Sequence, residues 1–297
     1  MTHVTLFCFW ASYVTAFGFE FARRRWDNVG TRWGGWAALA AGIIAHTIYL
    51  FVRSGQSELP PLLGSPHDWL LVLAWLVVAT LLIASRFLPN VSLGAYLLPP
   101  TIAIVSVAWF VDAESGTGLP QNYWWIFAHS AFLVLGLVGV LLSFVTSLMY
   151  LAQHRRLKSK QPLATGSRLP DLETLSRWNW WCIVIAVPLI TVGFAMGGAL
   201  TIASAESAAA VSLTSLPIVV LTVLWLGMVG LLAWMLARPQ AGGTTLALRT
   251  AWACGFVLAT VLSLTALAGE GGVHGRPAKA AAVIESVTPA SDVAVLR

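Results

Sequence analysis

The chain has 297 residues, 58% of them hydrophobic and 10% charged, with a formal net charge of +5. A soluble domain carries about 25% charged residues, so this composition excludes an ordinary water-soluble fold. Unbroken apolar runs, each able to cross a hydrocarbon core of about 30 Å, indicate an all-α polytopic membrane protein, and their lack of alternation argues against a β-barrel.

In chain order, about eight transmembrane helices are predicted, near 2–21, 34–52, 68–85, 91–111, 123–153, 180–204, 214–236 and 247–268. The first has no basic leader and its arginines follow the apolar run, so it reads as an uncleaved helix rather than a signal peptide. The fourth contains Pro99 and Pro100, where a kink or break is expected. The fifth is long enough to tilt or to project beyond the bilayer. Ahead of the sixth, "LPDLETLSRW" is expected to begin a short interfacial helix. Residues 1–270 read as a single transmembrane domain, and 271–297, rich in Gly, Ala, Pro and Val, as a flexible outer tail. No internal repeat is visible, which leaves an inverted-repeat transporter without support.

The distribution of positive charge sets the expected orientation. With the N-terminus outside, the inner segments hold Arg23, Arg24, Arg25, Arg32, Arg86, Arg155, Arg156, Lys158, Lys160, Arg168, Arg177, Arg238 and Arg249. The outer segments hold only Arg53, Arg276, Lys279 and Arg297. Both termini are therefore expected outside, and the basic excess reports topology rather than an affinity for nucleic acid. Trp26, Trp33, Trp36, Trp178, Trp180 and Trp181 fall near the inner boundary, and Trp69, Trp109, Trp124 and Trp125 near the outer one, as aromatic belts do.

Chemistry-bearing side chains are few. Glu20, Asp68 and Glu206 all lie near span ends, so the intramembrane carboxylate expected of a proton pump or ion-coupled carrier is missing. Cys8, Cys182 and Cys254 lie far apart without a CxxC pair and read as small core residues. The pairs Gly193/Gly197 and Gly227/Gly230 read as helix-packing positions. Histidine is more informative. His46 lies roughly 10 Å and His129 roughly 9 Å from the predicted outer ends of their spans. His3, His67 and His274 also fall on the outer side, and His154 on the inner. A neutral imidazole ligates iron well; it equally well bridges helices by hydrogen bonding. No catalytic triad or phosphate-binding glycine loop stands out, so the chain is not read as an enzyme.

The stretch "WWIFAHSAFLVLGLVGVLLSFVTSLMYLAQHRRLKSK", followed by "LPDLETLSRWNWWCIVIAVPLITVGFAMGGAL", resembles the haem-handling cytochrome c assembly proteins of the CcsA/CcmC-like type, including the HemX-like branch. The elements that carry the resemblance run in order from Trp125 to His129, through Tyr150-Leu151 and Leu157-Lys158, to Leu169–Leu175 and Thr191–Gly197. "LGAYLLPPTIAIV" is similar to the family's Leu-Gly…Pro helix. The resemblance implies a non-covalent haem b ligated by outer histidines, with His129 first, His274 in "EGGVHGRP" second, and His46 matching a histidine inside an early span. It also implies apocytochrome c and other maturation subunits as partners, and the bacterial inner membrane as location. The loop after span six, "TIASAESAAAVSLTSLPI", has neither the Trp nor the Asp of the family's WGxxWxWD-type motif, and "LLAWMLARPQ" lacks its histidine near the end of span seven. That pattern leans toward the HemX-like branch. It leaves two readings open: haem handling in cytochrome c biogenesis, or a non-catalytic membrane regulator or partner without haem delivery.

Overall fold

The computed structural model describes residues 5–23, 26, 28–57, 59–88, 91–111, 113, 123–159, 169–203, 215–237 and 243–267. They form α1 (Leu6–Ala22), α2 (Val29–Ser57), α3 (Pro61–Gly64), α4 (Pro66–Phe87), α5 (Gly94–Ala108), α6 (Tyr123–Lys158), α7 (Leu172–Ala203), α8 (Leu216–Ala237) and α9 (Gly243–Leu267). Each of the eight expected spans has its helix. The extra element, α3, is a single turn between α2 and α4.

Among the described residues, six helices are long and apolar enough to cross a membrane: α2, α4, α6, α7, α8 and α9. The helices α1, with 17 residues, and α5, with 15, are shorter. Seven residues of α5 are buried, so it sits among its neighbours rather than against lipid. Its assignment runs through Pro99 and Pro100 without a break. Each proline removes a backbone donor, and the next residue, Thr101, donates its hydroxyl back one turn to the Leu97 carbonyl at 2.7 Å.

The helices pack as two groups joined at the centre. In the first, α1 lies along α2 and α5, and α4 packs on α2 and α5. In the second, α6 packs along α7 and α9, and α8 rests against α7 and α9. Contacts of α4 and α5 with α6 join them. Small residues set the close approaches: a Cβ on Gly42 would come within 2.6 Å of the Tyr13 ring, and one on Gly136 would run into Ile190. The Gly227/Gly230 pair does not behave this way, since no described neighbour lies within 4 Å of either Cβ position. Cys254 is buried and Cys182 half-buried, as expected of core positions, whereas Cys8 faces outward.

Local sequence explains where the helices start and stop. Pro66 occupies the first turn of α4, and the Ser65 hydroxyl accepts from the Asp68 N–H at 3.2 Å. Arg155, Arg156 and Lys158 close α6, where cations complement the helix dipole. The expected short interfacial helix is instead the opening of α7. The Asp171 carboxylate accepts from the Thr174 N–H at 3.0 Å, and from there one helix of 32 residues runs through Pro188 to Ala203. Hydrogen bonds from Thr174 hold the Asp171 carboxyl below the usual carboxylate range.

Candidate functional site

The α6–α7 pair carries His129. The two helices run antiparallel: the start of α6 meets the end of α7 at His129 and Gly193, and the far end meets at Ser147 and Asn179. His129 is half-buried. Its Nδ1 lies 2.7 Å from the Gly193 carbonyl oxygen. A carbonyl only accepts, so Nδ1 carries the proton and Nε2 presents its lone pair. A histidine whose second nitrogen is held in this way is set up as a metal ligand. Gly197, one turn further along α7, supplies the room: a Cβ there would approach His129 Cε1 to 2.5 Å. The glycine pair that reads as generic packing in the sequence is the seat of the imidazole. Trp124 and Trp125, one turn before His129, are both exposed.

His46 occupies a different setting, inside the first helix group. It is fully buried. The Phe9 ring stacks on it at 4.1 Å between centroids with the planes 4° apart, and Tyr13 Oη lies 3.0 Å from Nδ1. Nε2 is buried without a hydrogen-bond partner. The structure does not bring His46 beside His129, because α2 does not pack along α6 or α7. His274 lies outside the described residues, as do His3 and Glu206.

Two further polar clusters were not foreseen from the sequence. Near the end of α2, Arg53 pairs with Asp68 and donates to the Ala113 carbonyl. Beside them the Ser65 hydroxyl donates to Asp68 at 3.1 Å, and His67 uses both ring nitrogens, donating from Nδ1 to the Ala108 carbonyl at 2.7 Å and accepting at Nε2 from Tyr49 at 3.3 Å. This clamp ties α2, α4 and the end of α5 together. Deeper in the second group, Asn179 Oδ1 accepts from Ser143 at 2.5 Å and Ser147 at 3.2 Å, while Nδ2 donates to Thr250 at 3.4 Å, linking α7 to α6 and α9. The single signal available in the sequence was a polar residue inside an apolar run; its partner depends on packing.

Among the described residues, no group of three or more His, Cys, Asp or Glu side chains could hold a metal ion. A haem iron makes a smaller demand, since the porphyrin supplies the equatorial nitrogens and the protein only axial ligands. His129 would offer Nε2 for it, since its Nδ1 is held by the Gly193 carbonyl. His46 would meet it only in part, because its unpartnered Nε2 is enclosed.

Residues 63–201, which run from α3 to the end of α7 and include His129 and its glycine seat, match the family model described as cytochrome C assembly protein. No curated protein and no solved structure matches the chain.

Proposed function

We propose, for this integral membrane protein of the cytochrome c assembly family, that its part in cytochrome c biogenesis is to bind haem at the Tyr123 end of α6. His129 would be one of the residues that hold the iron. The observation that carries this reading is the hydrogen bond from His129 Nδ1 to the Gly193 carbonyl, which orients a half-buried imidazole with Nε2 ready to ligate. On the resemblance, His274 would be a second residue that holds it. His46 would reach a haem only if the packing around its buried Nε2 opened.

When bound, haem supplies the iron and the redox chemistry; the chain holds and orients it. The protein's own residues act without a nucleophile, so the role is one of handling rather than catalysis. By the charge distribution the site faces outward, where an apocytochrome and other maturation subunits would meet it across the bacterial inner membrane.

The test is a reduced-minus-oxidised absorption spectrum of the detergent-purified full chain, with haem quantified as its pyridine haemochrome. Wild type is expected to hold haem b in stoichiometric amount. His129→Ala is expected to lose it while keeping its melting behaviour, and His154→Ala to keep it. Equal haem in wild type and His129→Ala would remove His129 from the site.

A second reading rests on the loop after α7, whose sequence lacks both Trp and Asp. In that reading the chain is a HemX-like regulator or partner subunit without haem delivery. Absence of haem after reconstitution with excess haem, with partner binding intact in His129→Ala, would favour it.

A further inference from the structure

At the end of the bundle opposite His129, a cavity of about 420 Å³ opens between α6, α7 and α9. Its walls include Tyr150 of α6, Glu173, Ser176, Arg177 and Trp180 of α7, and Gly243 at the start of α9. Tyr150 is 8% exposed, yet its hydroxyl makes no hydrogen bond to another described residue. That hydroxyl sits against the first residue of α9, close enough that a Cβ on Gly243 would run into it. The first turn of α9 contains no acidic residue, so its backbone N–H groups and positive dipole end are not offset from within that turn. Arg177 lies on the same wall.

The opposing group is Glu173, which accepts from Arg177 at 2.9 Å. Both side chains of this pair are mostly exposed, at 65% and 81%, so solvent screens it and the guanidinium is readily shared. Asp171, at the cap of α7, is a second carboxylate nearby, and the remaining charge is cationic. His154 stacks parallel to Tyr150, and Arg155, Arg156 and Lys158 follow in the last turn of α6. Trp180 and Trp181 stand edge-to-face beside the cavity, and the charge pattern puts them near the inner boundary, where aromatic belts meet lipid head groups.

We infer that this cavity is a binding site for the phosphate of an anionic phospholipid. The Tyr150 hydroxyl and the α9 N–H groups donate to the phosphate oxygens, Arg177 supplies the charge, and Ser176 a further hydroxyl. The chemistry is shared with free phosphate; the belt of tryptophans and the membrane depth favour the lipid. The site is independent of His129 and would stand if no haem were bound.

Purified full chain in mild detergent is offered equal amounts of dioleoylphosphatidylglycerol and dioleoylphosphatidylcholine, and retained lipid is counted by native mass spectrometry. Wild type is expected to prefer the anionic lipid about fivefold, the scale of one basic contact at a membrane surface. Tyr150→Phe and Arg177→Gln should each bring retention close to parity, with melting temperatures near wild type. No preference in wild type, or a preference that survives both substitutions, would overturn the assignment. In a parallel arm with inorganic phosphate alone, thermal stabilisation without any lipid preference would identify a free-anion site and equally overturn it.

Discussion

At the scale of single residues, the contact between His129 and α7 shows how little space the imidazole has in its seat. Gly197 and Gly198 are adjacent, yet a Cβ on Gly197 meets the imidazole at 2.5 Å and one on Gly198 meets nothing within 4 Å. Gly197→Ala is therefore expected to destabilise the protein by about 1–3 kcal/mol through overpacking and to reduce haem retention, while Gly198→Ala leaves both near wild type. Equilibrium unfolding in detergent and the haem spectrum check the pair. This seat was only half legible in the sequence. His129 and the Gly193/Gly197 pair each stood out, but nothing in one chain's sequence says which residue of α6 faces which residue of α7. The same limit hid the Tyr13–His46 pair, whose members are 33 residues apart.

At the scale of helices, polar links inside apolar surroundings decide which elements hold together. Asn179 bonds to Ser143, Ser147 and Thr250, so Asn179→Ala strips a partner from three hydroxyls on α6 and α9. Interhelical hydrogen bonds in membranes average about 0.6 and reach about 1.7 kcal/mol, which sets the expected loss. Steric-trap unfolding measures it. The Arg53–Asp68 pair invites a double-mutant cycle instead. Arg53→Ala and Asp68→Ala should couple by about 0.5–3 kcal/mol, the range for directly contacting residues, and additive effects would mean that the clamp is incidental. Helix existence was legible throughout because apolar run length carries it. Helix beginnings were not. The span expected from 180 starts at Leu172, since the short interfacial helix expected from "LPDLETLSRW" is continuous with it, and Asp171 caps the joined helix.

For the whole molecule, the two-group packing places the ends of α2 and α5 and the start of α4 in one layer, around Arg53. Arg155, Arg156 and Lys158 stand at the opposite end of α6 from His129. With 36 residues, α6 is about 54 Å long, well beyond a hydrocarbon core of about 30 Å, so it tilts or carries its basic end clear of the membrane. Orientation is checked in a variant whose native cysteines are replaced. A thiol introduced as Ser57→Cys should react with a membrane-impermeant maleimide in intact cells, and one introduced as Ser159→Cys only after permeabilisation. The reverse pattern would invert the topology and move the His129 site to the inner face.

The clamp at the end of α2 bears on how the chain sits in the bilayer. Among the described residues, Arg53 is the one cation that the charge pattern places outside, and Asp68 holds it as a pair. Carrying a lone positive charge outward against an inside-negative potential costs about 2.3 kcal/mol per 100 mV. An arginine paired with its carboxylate carries no net charge, so the pair once formed has no net electrical work to bear in that field. In the finished fold the pair leaves that outer layer without a net charge from Arg53, so the membrane field exerts no net pull on it.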